Sequence, residues 1–300
     1  RRTLLDIPMF LYQTAIERDG RYGYYFYDFN AKTNWIVNNK NRIYLSMYSG
    51  KDSQYNNDNS DGTDSRLRYN WGNITSVFRW NHNFSQKLFS NISAYYSQYQ
   101  LTNLASTETG EGRIFFRATS ELQDLALKAD FDWYVLPSYT FRFGGKASRM
   151  AFAPNIVQMK ESDSDITLNE EQKDKSTHFE YFAENNLNAG KFNLNLGLRS
   201  SHYFTGEKTY HFFEPRAALK FQSHTGFSAN ASYTQMTQFI HLLSNSSLGM
   251  PTDLWVASTD EVKPQESRQL SAGVGKRLSK YVFGVEAYYK WMQDVIRFEE

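Results

Sequence analysis

Hydrophobic and polar residues alternate along much of this chain, so that every second side chain is apolar and its neighbours are polar. In residues 281–292 one face carries Tyr281, Phe283, Val285, Ala287, Tyr289 and Trp291. The opposite face includes Glu286 and Lys290. A period of two is that of a β-strand. The split recurs at 124–135, 139–148, 192–199 and 226–234, which predicts an all-β chain, and no comparable window favours a helix.

Short polar turns and longer polar loops alternate between the predicted strands. The short turns lie at 38–41, 85–87, 136–138, 188–190, 222–225 and 278–280. The longer loops are predicted at 51–65, 104–120, 153–176 and 240–262, with one short exception at 205–210. Tight turns on the periplasmic side and long loops outside are typical of outer-membrane barrels, and six turns predict about twelve strands. The first would span 22–37 and the last 281–298.

Aromatic residues lie near the ends of the apolar rows. Tyr25 and Tyr27 share a face with Trp35, and Tyr281 shares one with Tyr289. A strand tilted by ~45° crosses the apolar part of a membrane in about 11 residues. The spacing therefore predicts two interfacial girdles and a transmembrane antiparallel β-barrel.

The amino-acid composition agrees with a barrel wall, that is, a sheet with one face toward lipid and the other toward water. Aromatic residues make up 17% and hydrophobic residues 40% of the chain, and the mean hydropathy is −0.64. The absence of cysteine excludes disulfides and thiolate sites. The net charge of +1, without a dense basic cluster, argues against nucleic acid as a partner. The sequence has no apolar run long enough for a membrane-spanning helix.

The ends of the chain suggest a portion of a larger wall. With the short turns in the periplasm, the first strand runs inward and the last runs outward, whereas a complete barrel keeps both termini inside. The final residues 297–300 contain no terminal aromatic. Each unpaired backbone group at a sheet edge in lipid costs several kcal/mol. We therefore expect neighbouring strands outside this sequence.

Two stretches resemble the barrel of TonB-dependent outer-membrane receptors. One is Phe213-Glu214-Pro215-Arg216 with the strands at 217–221 and 228–233. The other comprises residues 251–256, 263–267 and 286–290, and residues 24–28 and 44–50 look similar but are less specific. The resemblance implies a barrel of the 22-stranded type plugged by an N-terminal domain. Residues 1–300 would then be part of that barrel, without the plug.

The resemblance implies import of a scarce nutrient across the outer membrane of a Gram-negative bacterium. The expected partners are outer-membrane lipid, a TonB-type energy-transducing protein acting through the absent plug, and a small-molecule, glycan or peptide ligand. A passive porin and an outer-membrane barrel enzyme are the alternatives. We expect no enzymatic activity, no cofactor and no metal.

Few residues qualify as candidates for ligand contact or chemistry. Trp255 and Tyr210 could stack on a ligand, although a place in an aromatic girdle or in loop packing is the simpler explanation. His202 and His211 could meet across the tight hairpin at 205–210, as two polar residues near the rim or as part of a hydrolytic site.

Two further clusters have ordinary interpretations. Asp124, Asp130 and Asp132 share an inward-facing row, where paired acids could act as acid and base; solvation or pairing with arginines such as Arg142 is the more ordinary role. The second cluster resembles the start of a calcium-binding loop and comprises Asn57, Asn59, Asp61 and Gly62. Such a loop requires a glutamate at its twelfth position, but that position is Arg68. A solvated extracellular loop is the more ordinary interpretation. Residues 161–175 are expected to form a mobile loop.

Overall fold

The computed structural model describes residues 1–3, 5–16, 20–60, 62–110, 112–161, 167–171, 174–243 and 254–296. One helix, α1, spans Asp6–Ala15. Strands β1 to β5 are Arg21–Asn38, Asn41–Ser60, Thr63–Asn83, Leu88–Thr109 and Gly112–Leu136. Strands β6 to β10 are Tyr139–Glu161, Thr167–Glu171, Asp174–Ala189, Phe192–Thr205 and Lys208–Gln222. Strands β11 to β15 are Phe227–Gln238, Ile240–Leu243, Leu254–Ala257, Gln265–Leu278 and Tyr281–Gln293.

The strands form one long antiparallel sheet. Its order is β1-β2-β3-β4-β5-β6-β8-β9-β10-β11-β14-β15, with β7 paired to β6 as the thirteenth strand. Strands β12 and β13 form a separate two-stranded sheet. Every pair on the main path is antiparallel and all six predicted short turns join its strands. The prediction of an all-β antiparallel wall of about twelve strands is confirmed.

The two faces of the sheet differ in chemistry and exposure. On β5, Leu127 has 57% of its surface exposed and Ala126 only 4%. We call the face of Leu127 the outer face and that of Ala126 the inner face. Other large apolar side chains in register with the outer face are also exposed, including Trp35, Phe78, Leu198 and Val285. Lipid would cover such a surface, whereas water would not stabilise it.

The strands are longer than a membrane requires. Strand β5 has 25 residues, while a tilted strand crosses the apolar layer in about 11. On its outer face the apolar row ends at Leu125 and is followed by Gln123 and Glu121. The prediction of long loops at 51–65 and 104–120 is wrong, because the antiparallel ladder continues through both segments to Ser60–Thr63 and Thr109–Gly112.

The loops predicted at 153–176 and 240–262 also contain strands. In the loop predicted at 153–176, β6 continues to Glu161 and pairs with β7, while residues 162–166 and 172–173 lie outside the described residues. The loop predicted at 240–262 contains β12 and β13, with residues 244–253 outside the described residues. The last strand ends at Gln293, earlier than the predicted 298; residues 297–300 are likewise not described.

The sequence pattern did not predict the helix α1, since no window comparable to the strand segments favours a helix. Pro8 lies in its first turn, where a backbone N–H has no helical acceptor and proline is tolerated. The Gln13 side chain holds α1 against β1 by donating to the Tyr22 carbonyl at 2.6 Å and accepting from the Tyr22 N–H at 3.0 Å. Among the described residues, no helix combines the length and apolar character needed to cross a membrane.

Candidate functional site

The inner face carries a row of charged side chains that crosses neighbouring strands. Glu180 on β8 is approached by Lys146 on β6 at 3.7 Å and by Arg199 on β9 at 3.8 Å. The Arg199 guanidinium also lies 3.8 Å from Glu214 on β10. Alternate residues of adjacent strands point to the same face, so the register alone brings these groups together. The result is a charged wall facing the interior.

Glu214 is the most enclosed carboxylate of this wall. Its side chain is 1% exposed, and one oxygen accepts a hydrogen bond from the Ser201 hydroxyl at 2.6 Å. Its other oxygen has no hydrogen-bond partner within the described residues. A buried carboxylate requires compensation, and Arg199 is the cation that supplies it.

Nearer the short turns, two glycines leave room on the inner face. A Cβ at Gly144 would lie 2.9 Å from the ring of Phe182, and one at Gly197 would lie 2.8 Å from the Arg216 side chain. Both glycines therefore permit close packing that another residue would obstruct. Gly197 lines a groove of about 250 Å³, together with Lys128, Asp130, Arg142, Glu184 and Arg216, among others.

The predicted pairing of inward carboxylates with arginine is confirmed at one position. Arg142 Nε donates to Asp132 Oδ1 at 2.7 Å. Asp130 is paired with Lys128 at 2.9 Å. Asp124 faces the same side, so the three aspartates form part of the charged wall.

At the end of the sheet opposite the short turns, a hairpin folds against the inner face. Strands β12 and β13 form this hairpin, and β13 contacts β5 and β6. Phe239, just before β12, stacks on Tyr203 of β9, with ring centroids 4.6 Å apart and an angle of 14° between the rings. The His178 ring meets Phe239 edge-on at 4.6 Å. Tyr203 and Phe239 belong, with Phe152 of β6, to the main buried hydrophobic cluster of the described residues.

Hydrogen bonds fix the hairpin to the wall. The Tyr203 hydroxyl donates to the Ser258 carbonyl at 3.3 Å, and the Tyr210 hydroxyl donates to the Thr259 carbonyl at 2.8 Å. Within the hairpin, His241 Nε2 lies 3.0 Å from the Ser258 hydroxyl. Burial lowers the pKa of His241 below its usual 6.5. The hairpin is thus docked by aromatic packing and by bonds to backbone carbonyls.

The structure places the two predicted ligand-contact residues at this hairpin. Tyr210 is half-buried on the inner face of β10 and stacks on Phe212 as well as holding Thr259. Trp255 is half-buried on β13, opposite Leu242. Both take part in loop packing, and their contact with a ligand stays a prediction. Sequence reasoning missed the buried Tyr203 and Phe239, because no local signal separates them from the chain's many other aromatics.

The two histidines predicted to approach each other do so, on the outer face. His202 Nδ1 and His211 Nδ1 lie 2.6 Å apart across the β9–β10 hairpin. They share that face with Leu198 and Phe213, so they point away from the charged wall. No grouping of three or more potential metal ligands occurs in the described part of the chain. Asn57 and Asn59 of the calcium-like pattern lie on β2, and Asp61 is not described.

Solved structures share this fold at low sequence identity. The ferric preacinetobactin receptor BauA from Acinetobacter baumannii matches with a TM-score of 0.60 and 11% identity, over 89% of this chain and 46% of that one. The copper transporter OprC gives a TM-score of 0.64 and 13% identity, over 92% and 46%. The Serratia marcescens hemophore receptor HasR gives 0.57 and 12%, over 90% and 46%.

The chain spans less than half the length of each of these proteins. They are receptors and transporters rather than enzymes. No curated protein sequence matches the chain. The family described as "TonB dependent receptor-like, beta-barrel" matches residues 10–299, and the chain therefore belongs to that family.

Proposed function

We propose that this chain forms part of the barrel wall of an outer-membrane receptor that imports a scarce nutrient into a Gram-negative bacterium. The observation that carries the proposal is the contrast between the two faces of the sheet. The outer face exposes Leu127 and its neighbours to lipid, while the inner face carries the charged row around Glu180. A wall of this kind encloses a polar passage.

Membership of the TonB-dependent receptor family supports energy-driven import. We infer that a plug domain, encoded outside these 300 residues, fills the interior and contacts the charged wall. A TonB-type protein spanning the periplasm would act on that plug. The alternating signs of Lys146, Glu180, Arg199 and Glu214 suit a polar plug surface that must bind and later rearrange.

The docked hairpin supports capture of the ligand from outside. It lies at the end of the sheet opposite the short turns, on the inner face, where it covers Tyr203 and the neighbouring aromatic rings. Trp255 and Tyr210 would contact a small molecule, glycan or peptide entering beside it. Aromatic rings with polar edges contact all three classes readily.

Uptake by the whole receptor tests this function. A strain lacking the gene would be compared with the wild type on a panel of ferric chelates, heme, copper, cobalamin, oligosaccharides and peptides, each at limiting concentration. Loss of uptake of one compound, together with the same loss when the energy-transducing protein is deleted, is the expected result. Uptake that continues without the energy-transducing protein would instead support a passive porin.

A further inference from the structure

Two imidazole rings face each other on the outer face, at the end of the sheet opposite the short turns. His202 and His211 are paired in the register of β9 and β10, close to the tight turn that joins these strands. The aliphatic row of β9 includes the exposed Leu196 and Leu198 and ends four residues before His202. A strand tilted by ~45° rises roughly 2.3 Å per residue, so the pair lies about 9 Å beyond Leu198.

The contact between the two rings holds a single proton. Their Nδ1 atoms lie 2.6 Å apart, with an angle of 69° between the rings. This is a hydrogen bond only when one Nδ1 carries a proton and the other presents a lone pair, because two N–H groups or two bare nitrogens would repel each other. Loss of that proton leaves two lone pairs that converge on one point.

A divalent transition-metal ion fits between these lone pairs. Metal–nitrogen bonds are about 2.0–2.1 Å long, so two neighbouring ligands lie about 2.9 Å apart on a square-planar ion and about 3.4 Å apart on a tetrahedral one. The Nδ1 atoms are separated by 2.6 Å, and the His211 ring is exposed and can turn. The square-planar arrangement requires the smaller movement and is the one that Cu²⁺ and Ni²⁺ prefer.

The other nitrogen of His202 is held in the manner of a metal ligand. His202 Nε2 lies 2.9 Å from the Ser200 hydroxyl. When the Nε2–H group donates to that oxygen, Nδ1 of the same ring is bare and the orientation of the ring is fixed. Metal-binding histidines ordinarily have such a partner on their second nitrogen, and its loss weakens metal binding about 10–100-fold. Ser200 is therefore a positioning residue for this pair.

The surroundings of the pair give a metal ion access from water. Phe179 is paired with His202 in the register, the Tyr181 ring lies 6.2 Å from that of His202, and the Phe204 ring lies 6.5 Å from that of His211. These three rings carry no charge at neutral pH, so they do not repel a cation. Because His202 is half-buried and His211 exposed, water can complete the coordination of the ion.

We propose that His202 and His211 bind one divalent transition-metal ion, with Cu²⁺ preferred, through both Nδ1 atoms. Water fills the remaining coordination positions, and the ion joins β9 to β10 beside their turn. Since the pair lies on the outer face, the ion is outside the passage that the inner face lines. The inference therefore depends neither on the imported nutrient nor on energy coupling.

Titration of the metal-free, intact receptor with Cu²⁺ in detergent tests the site. The double variant H202Q/H211Q should bind one equivalent less Cu²⁺ than the wild type. The second nitrogen binds the same ion at high effective concentration, so H202Q or H211Q alone should weaken this equivalent by at least about tenfold. S200A should weaken it by about tenfold. The control H224Q removes an exposed histidine at the short-turn end and should titrate like the wild type.

The choice of ion distinguishes an imidazole site from a general cation-binding surface. Mg²⁺ and Ca²⁺ prefer oxygen ligands and should not displace Cu²⁺, whereas Ni²⁺ and Zn²⁺ should compete more weakly than Cu²⁺ itself. The electron paramagnetic resonance spectrum of this Cu²⁺ should show coupling to two nitrogens. Equal displacement by Mg²⁺ would overturn the proposal, as would equal Cu²⁺ stoichiometry in the wild type and the double variant.

Hydrogen exchange tests whether the ion joins the two strands. At a free Cu²⁺ concentration 100 times its dissociation constant, opening that separates the two rings should be suppressed about 100-fold. Amides of residues 203–210 should then exchange more slowly in the wild type, while those of H202Q/H211Q should not respond to Cu²⁺. Unchanged exchange in the wild type with Cu²⁺ bound would show that the two histidines do not share one ion.

Discussion

The ring of Tyr203 lies flat against the ring of Phe239, with their centroids 4.6 Å apart. Tyr203 belongs to the barrel wall and is completely buried, although it lies on a strand whose outer face is exposed. Phe239 lies just before the inward hairpin. This stack therefore joins a rigid strand to the element that covers part of the interior, and it determines how tightly the hairpin is held.

Replacing Phe239 with alanine should release the hairpin without unfolding the barrel. Loss of a buried phenylalanine side chain costs about 3 kcal/mol, or roughly 100-fold in the docking equilibrium. The sheet itself keeps its backbone ladder. Hydrogen exchange should show weaker protection of the Ser258 amide, which donates to the Phe239 carbonyl at 2.8 Å. The control F213A removes an exposed outer ring and should leave this amide unchanged; equal protection in both variants would contradict the role of the stack.

Acidification should also loosen the hairpin. Burial lowers the pKa of His241 in the folded state, so the neutral ring is favoured there while the unfolded segment still binds protons near pH 6.5. The stability from neutral His241 is therefore fully present above pH 6.5 and is lost as the pH falls below it toward the folded pKa. Exchange of the Ser258 amide, corrected for its intrinsic rate, should accelerate between pH 7.5 and pH 5.

Two variants assign this pH dependence to a residue. His241→Gln keeps a polar group near the Ser258 hydroxyl but cannot gain a proton, so its exchange should depend less on pH over this range than that of the wild type. His178 also touches Phe239, and burial likewise lowers its pKa, so His178→Gln should retain only the part of the pH dependence that His241 contributes. If the dependence disappears in the His178 variant and persists in the His241 variant, the explanation is wrong.

Tyr210→Phe separates loop packing from ligand contact. The variant keeps the ring against Phe212 and loses only the hydrogen bond to the Thr259 carbonyl. We expect about 1 kcal/mol less stability of the docked hairpin, which is roughly fivefold faster exchange of the neighbouring Val262 amide. That amide donates to the Thr259 hydroxyl at 3.1 Å. Weaker ligand binding with unchanged exchange would show instead that the hydroxyl contacts the ligand.

The amino-acid sequence predicted the membrane-facing part of this fold well. In residues 124–135 every second side chain is apolar, because lipid covers one face and the charged interior lies behind the other. The short turns were equally visible, since polar residues interrupt that alternation. Outside the lipid the contrast disappears. Residues 51–60 are polar on both faces, so a continuous ladder there has no hydrophobic signature, and the sequence wrongly predicts a loop.

The docked hairpin was not predictable for a different reason. Its position depends on contacts between Phe239 and Tyr203, which are far apart in sequence and meet only because β6, β8, β9 and β10 are already in register. The chain contains 21 tyrosines and 23 phenylalanines, and alternation assigns them to a face but not to a partner. The burial of Glu214 was unpredictable for the same reason, because it depends on contacts with Arg199 and Ser201 on the neighbouring strand β9.

Arg199→Met should destabilise the sheet, because it leaves the buried Glu214 carboxylate without a neighbouring cation. The carboxylate would keep its hydrogen bond to Ser201 but lose its cation while remaining buried. Because Arg199 is about one-third exposed and 3.8 Å from the carboxylate, solvent screening limits the cost to about 1–3 kcal/mol. The double variant R199M/E214Q should recover most of this loss in a denaturant titration. If the losses of unfolding free energy in R199M and in E214Q simply add up in the double variant, the two residues do not interact.

Leu127→Arg tests the assignment of the outer face to lipid. Leu127 is 57% exposed and lies inside the apolar row of β5, between Leu125 at its end and the aromatic Trp133. An arginine on a barrel's lipid face costs about 2–4 kcal/mol at the midplane and less toward the interfaces. We expect a loss of about 2 kcal/mol in unfolding titrations of the receptor in lipid vesicles. The adjacent Lys128→Gln changes a charge on the inner face, where Lys128 pairs with Asp130, and should cost under about 1 kcal/mol. If both variants unfold like the wild type, water rather than lipid covers the face of Leu127.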